Sequence, residues 1–145
     1  MMAGINLRRL VAGGSAAGLL IWALEAAASL LYLDGMTAAL EAHDLAVSMS
    51  ATKIFLTIAL SLLSGMTLVF LYAAMRPRFG RGPRTAVIAG VVMWVGAYLF
   101  SLAGYAMIGL YPPSMLFTWG FIGLAEMVTA AVVGAWVYRE TGDAA

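Results

Sequence analysis

The sequence contains no cysteine. Disulfides, thiol redox chemistry, thiolate zinc sites and iron–sulfur clusters are thereby excluded, and the thiol clue to cellular compartment falls silent. Charge is nearly as scarce: Asp, Glu, Lys and Arg make up 10% of the 145 residues, where an ordinary soluble domain carries about 25%. With 8 Lys+Arg against 7 Asp+Glu the formal net charge is +1, too little for the basic field of a general nucleic-acid binder. Histidine occurs once, as His43. The positions one helical turn away hold Ala39, Leu40, Ala46 and Val47, so no metal site forms around it, and a haem held by two histidines of one chain is impossible. No nucleophile–base–acid set is visible without cysteine and with that histidine outside the apolar runs. The reading therefore names no catalytic residue, no cofactor and no metal ligand.

What the chain has in abundance is apolar surface. It is 63% hydrophobic with a mean hydropathy of +0.96, which excludes both a water-soluble globule and a disordered chain. A bilayer core about 30 Å thick needs roughly 20 apolar helical residues. Four stretches qualify: 10–33 with one charge, Glu25; 54–75 and 85–110 with none; and 114–138 with one, Glu126. Short alternating strands are absent, and lipid offers open backbone groups no partners, so the runs are read as helices. The expected fold is an all-α membrane protein, a single four-transmembrane-helix bundle over 1–145.

Lys and Arg placement sets the orientation. Arg8 and Arg9 precede the first span, Arg76, Arg78, Arg81 and Arg84 lie between the second and third, and Arg139 follows the fourth. The other side holds Lys53 with Asp34, Glu41 and Asp44. The expectation is a multi-pass protein of the bacterial cytoplasmic (inner) membrane with both termini cytoplasmic. A rival reading takes Arg8-Arg9, the apolar run and Ala26-Ala27-Ala28 as a secretory signal. The run continues through Leu33, long enough to span, which favours a retained helix.

The connections carry further information. Over 36–50, Thr37, Glu41, Asp44 and Ser48 form a polar stripe beside an apolar one of Ala38, Ala42, Leu45 and Met49. That pattern predicts a short amphipathic helix on the outer surface. Pro112-Pro113 stops the third span, and Ser114 is placed to cap the fourth. The two halves also look related. At one fixed offset Ala17-Gly18 and Trp22 match Ala89-Gly90 and Trp94; at a second, Thr57, Leu63, Met66 and Arg78 match Thr118, Leu124, Met127 and Arg139. Two readings stay open: a duplicated helical hairpin whose copies run parallel, or chance among similar apolar residues.

Helices in lipid associate through close packing, so small residues mark their contacts. Gly14 and Gly18, Gly90 and Gly104, and Gly123 and Gly134 are the expected packing glycines, and each glutamate shares a face with such a groove. With a rise of about 1.5 Å per residue the two glutamates differ in depth by roughly 5 Å. They meet through one water or one side chain if the first and last spans are neighbours. No Lys or Arg lies at that depth, and burial without a cation disfavours the charged carboxylate. Ser29, Ser101, Thr129, Tyr98 and a Trp N–H are the candidate partners. The two readings of Glu25 and Glu126 are a proton or cation relay and interhelical hydrogen-bonding worth about 0.6 kcal/mol per bond.

Trp22 and Trp94, near mid-membrane, together with Tyr98, either floor a cavity for an apolar or cationic ligand or fill a core. Tyr32, Tyr72, Tyr111, Trp136 and Tyr138 fit an interfacial aromatic belt. Arg76, Arg78, Arg81 and Arg84 are read as topology determinants that hold anionic lipid headgroups, at about 1 kcal/mol per basic residue. They lack the spacing of a phosphate-binding P-loop.

The run from Arg76 through Ala86, the Ala89-Gly90 to Trp94 segment and the closing Gly134 to Glu140 resemble a group of small, uncharacterised bacterial four-span membrane proteins. That resemblance covers most of the chain and implies the four-span fold, with no activity to carry over. Small multidrug-resistance transporters share four spans and a first-helix glutamate, but lack the counterparts of Glu126, the acidic loop and the Arg-rich loop. Membrane glutathione-transferase-like proteins share length and span count, but not motifs. The expected function is a non-enzymatic accessory or scaffold subunit, or a binder of an apolar molecule between helices. The alternative is a proton-coupled small-molecule or ion transporter using Glu25 and Glu126, and an intramembrane enzyme is third. Expected partners are the bilayer, anionic headgroups at the inner face, and a homo-oligomer or larger membrane complex, without nucleic acid.

Overall fold

The computed structural model describes residues 5–46 and 48–138, and among them every regular element is helical. Helix α1 runs from Leu7 to Glu41. Asn6 starts it, its side-chain oxygen accepting the Arg9 N–H at 3.1 Å and satisfying one of the open donors of the first turn. No proline interrupts the next 35 residues. A single internal glycine costs a helix only about 1 kcal/mol, and Gly35 lies close to the Met115 side chain. The helix therefore continues through Gly35 to Glu41. Residues 42–44 form a turn, with Asp44 in the left-handed region at φ 58°. This corrects the surface helix expected over 36–50: its first part is the end of α1, and the described residues beyond 44 are not helical before Ala51.

Helix α2, Ala51–Phe79, is capped by Ser50, which accepts the Lys53 N–H at 3.3 Å. Pro77 falls in the last turn and Gly80, at φ 81° and ψ 169°, ends the helix, a positive-φ, extended conformation outside αL that glycine adopts without steric cost. Gly82 is also left-handed at φ 125°, and Pro83 opens α3, Pro83–Trp94. The tight turn is fastened from inside: Thr85, buried, donates its hydroxyl to the Gly80 carbonyl at 2.7 Å, and the Gly82 N–H donates to the Tyr72 hydroxyl at 3.2 Å. The third span then passes through a π-helical turn, Val95–Leu99, into α4, Phe100–Ile108, which ends on left-handed Gly109. Helix α5 spans Pro113–Val137 with Pro112 at the cap and Pro113 in the first turn. Ser114, expected as the cap, sits inside that turn instead, because proline's fixed φ suits the first helical position.

Four helical spans, Leu7–Glu41, Ala51–Phe79, Pro83–Ile108 and Pro113–Val137, are each long and apolar enough to cross a membrane. Around the bundle, α1 packs on α2, α2 on α3, α3 on α5 and α5 back on α1. Among the described residues the main buried cluster lies in the half of the molecule nearest the Gly80–Gly82 turn, with Leu116 near the start of α5 buried apart from it. The cluster is made by Leu10, Ala17 and Ile21, Leu68 and Val69, Ala86 and Ala89, and Met127, Ala130 and Ala131. Small residues set its tightness. A Cβ on Gly18 would stand 2.6 Å from the Leu62 Cα, and one on Gly14 2.7 Å from the Met66 Cα. Gly65 faces the Gly14 and Gly18 backbone, Gly90 lies over Met127 and Val128, and Gly134 lies against Gly13, Ala17 and Val69. Gly104 is the exception to the expected set: open space surrounds it, because α4 leans away from the bundle with nearly every residue exposed. In the opposite half Leu30, Leu31, Phe55 and Met107 are exposed apolar side chains, and there a cavity forms.

Candidate functional site

The junction between the tight half and the half with the cavity holds both membrane glutamates. Glu25 lies on α1 and Glu126 on α5, and these two helices are neighbours. One side chain stands between the carboxyls. The Tyr98 hydroxyl donates to Glu126 Oε2 at 3.0 Å and reaches Glu25 Oε2 at 3.5 Å. Tyr32, two turns along α1 from Glu25, donates its hydroxyl to Glu25 Oε1. The second oxygen of Glu126 is buried and meets no N–H or O–H donor among the described residues, but the Glu25 and Glu126 carboxyls themselves lie within side-chain hydrogen-bond reach, a bond that needs a proton on one of them. Glu126 is only 3% exposed, so this carboxyl lies inside the bundle, where a polar group left without a partner costs the most.

Local backbone geometry explains why Tyr98 arrives there. It belongs to the π turn Val95–Leu99. A π turn inserts one extra residue and rotates the side chains that follow, and such turns recur at functional sites. Opposite it, α5 has no side chain at Gly123, and any Cβ there would strike the Tyr98 ring. Gly123 thus seats the ring, and Glu126 receives its hydroxyl one turn further on.

Beyond Tyr98 opens a cavity of about 330 Å³, lined by Glu25, Tyr32, Met36, Tyr98, Ser101, Tyr105, Tyr111 and Trp119 among others. Its rings make an edge-to-face series: Tyr32 to Trp119 at 5.2 Å between centroids, Trp119 to Tyr111 at 4.7 Å, and Tyr111 to Tyr105 at 5.4 Å. Burial pushes the Tyr111 phenol up, with Tyr105 adding to the effect, so Tyr111 stays neutral. The Trp119 Nε1 atom is buried without a hydrogen-bond partner among the described residues. Glu126 is not among the lining residues; it sits behind Tyr98, while Glu25 faces the space.

The other candidate residues fall elsewhere. Ser29 and Ser101 turn their hydroxyls back onto their own helices, to the Ala26 carbonyl and the Ala97 carbonyl, although Ser101 also lines the cavity. Thr129 is exposed. Trp94 donates to the Gly120 carbonyl at 2.9 Å and lines a separate apolar groove of about 440 Å³ between α4 and α5. Trp22 is half-buried on α1 and lines neither space.

The aromatic belt divides. Trp136 is exposed at its helix end. Tyr72 and Tyr138 are buried, ring on ring at 6.2 Å, with the Arg76 guanidinium 5.9 and 5.6 Å from their centroids. A guanidinium over aromatic faces draws the rings inward from the expected belt. Tyr32 and Tyr111 line the cavity. Arg139 and Glu140 lie outside the described residues.

Sequence reading missed the cavity role of Tyr32, Tyr105, Tyr111 and Trp119. The Glu25–Tyr32 spacing of two turns, which returns to one face, was the available signal.

These features define the class: a multi-pass membrane protein whose all-helical fold agrees with a four-helix bundle, holding a tyrosine-bridged pair of glutamates. In comparison with known proteins the chain matches no family model, no curated protein and no solved structure.

Proposed function

We propose that this chain is a proton-coupled small-molecule transporter in which Glu25 and Glu126 exchange a proton through Tyr98 as a substrate enters the cavity. One observation carries the reading: two carboxyls from different spans converge on a single phenol at the edge of a cavity. Intramembrane carboxyls are costly and mark ion and proton pathways. The exchange balances without a further reactant. As a protonated Glu126 gives its proton to the Tyr98 oxygen, Tyr98 passes its own to the Glu25 carboxylate, and the reverse step restores the start. A substrate that needs the Glu25 charge then competes with that proton. The π turn and the lightly packed α4 supply the moving part, since π turns and weakly packed helices are where local opening is easiest.

The surrounding assignments belong to the same proposal. The Arg-bearing end faces the cytoplasm of a bacterial inner membrane, with both termini inside and Arg76, Arg78, Arg81 and Arg84 on anionic headgroups. The cavity then occupies the outer half. The chain is two duplicated parallel hairpins. The ring order of the spans supports this, because a two-fold axis along the membrane normal exchanging α1 with α3 and α2 with α5 leaves it unchanged. Gly96 and Gly104, with open space about them, leave a small-residue face on the third span for a second copy or a larger complex. A second reading, binding of an apolar molecule between helices, is supported by the groove that Trp94, Phe117 and Phe121 line.

The test is uptake into proteoliposomes holding the full chain, under an imposed proton gradient, with a radiolabelled panel of amines, amino acids, sugars and carboxylic acids. At least one compound is expected to accumulate above empty liposomes, and to stop when an ionophore collapses the gradient. Uptake equal to that of empty liposomes across the panel, or indifferent to the gradient, overturns the proposal.

A further inference from the structure

We infer that the cavity takes an organic monocation with an apolar body, its charge set against Glu25 and its body against the Tyr32–Trp119–Tyr111 wall. This rests on reading the same cavity as the substrate site, and it adds the chemistry of what enters. Two observations converge. First, among the described residues the cavity lining holds a carboxyl and four tyrosines but no Lys, Arg or His, so an anion would meet no opposite charge there and a cation would meet one. Second, the wall is a run of rings in mutual contact. Aromatic faces attract cations electrostatically, most strongly where water is excluded, and they bury an apolar body at the same time.

A hard metal ion fits poorly. It asks for six or more oxygens, and among the described residues no three His, Asp or Glu side chains come together. The cavity volume of about 330 Å³ is at the small end for ligand sites, which limits the body to one ring or a short branched chain. The groups facing Glu25 are Tyr32 on its own helix, Tyr98 from the π turn and, across Tyr98, Glu126.

The test uses the full chain in lipid nanodiscs and radiolabelled benzyltrimethylammonium, whose charge does not titrate, in equilibrium dialysis at pH 8. Saturable binding above empty nanodiscs is expected. Unlabelled cation should displace it, whereas tenfold higher phenylmethanesulfonate or benzyl alcohol should not. Glu25→Gln and Trp119→Leu are each expected to weaken it by about tenfold. Tyr111→Leu, at a half-buried position, provides a further variant if one of these fails to fold. Absence of saturable binding, equal displacement by the sulfonate or the alcohol, or unchanged binding in the folded variants overturns the inference. Cation binding without gradient-driven uptake would count against the transporter reading alone. Gradient-driven uptake of a neutral or anionic compound without cation binding would count against this inference alone.

Discussion

Gly65→Val is expected to unfold the bundle, or to lower its stability by about 3 kcal/mol, the upper range for forcing bulk into a packed interior. The cause is local and specific. A Cβ on Gly65 would collide with the Gly14 carbonyl and the Gly18 backbone, and backbone cannot rotate away as a side chain can. Helices in lipid gain nothing from hiding apolar surface, so close van der Waals approach is what holds α1 to α2. Separating them also opens the core around Ala17, Leu68 and Val69. The matched control is Gly104→Ala, where nothing lies within contact of the new methyl. It should be neutral or gain a few tenths of a kcal/mol from helix propensity. Thermal or denaturant unfolding in detergent, followed by circular dichroism, reads both. Equal stability of the two variants would remove the crossing at Gly65 from the account.

Glu126→Gln is expected to cut gradient-driven uptake by about a hundredfold or more, the scale on which a positioned proton-transfer group acts. Stability should stay within about 1 kcal/mol of the parent, the worth of one ordinary hydrogen bond. Glutamine keeps the shape and can still accept the Tyr98 hydroxyl, the bond seen at 3.0 Å, but it cannot release a proton. If Glu126 only packs helices together, the same change would leave uptake unaltered. The paired measurement of uptake and melting separates the two roles.

Composition and charge spacing were enough to read four spans, because the length of an apolar run is a direct statement about bilayer thickness. Gly14, Gly18, Gly90 and Gly134 stand at close backbone approaches, which only a small residue allows, whereas Gly123, singled out for the same reason, makes room for the Tyr98 ring instead. The glutamates were legible as outliers in apolar runs, and Tyr98 as one of several candidate partners. What eluded the sequence depends on a break in periodicity. Nothing in Val95–Leu99 announces a π turn, yet that turn chooses which face of the third span meets Glu126 and which leans away, leaving Gly104 without a contact. Tyr32 and Tyr111 read as belt residues because tyrosine at a span's end is satisfied equally by headgroups and by an aromatic pocket. The helix expected over 36–50 had the right amphipathic stripe. Its first part became the end of α1 because Gly35 alone is too weak a breaker.

The central claim is that Glu25 and Glu126 meet within one chain, and the absence of native cysteine makes it directly measurable. A chain carrying Glu25→Cys and Glu126→Cys, treated in native membranes with a short thiol–thiol cross-linker, should form an intrachain link between α1 and α5. Leu30→Cys with Glu126→Cys is the reference, since Leu30 is 81% exposed, and it should form none. A link only between chains, no link at all, or equal linking in the reference pair would contradict the tyrosine-bridged site.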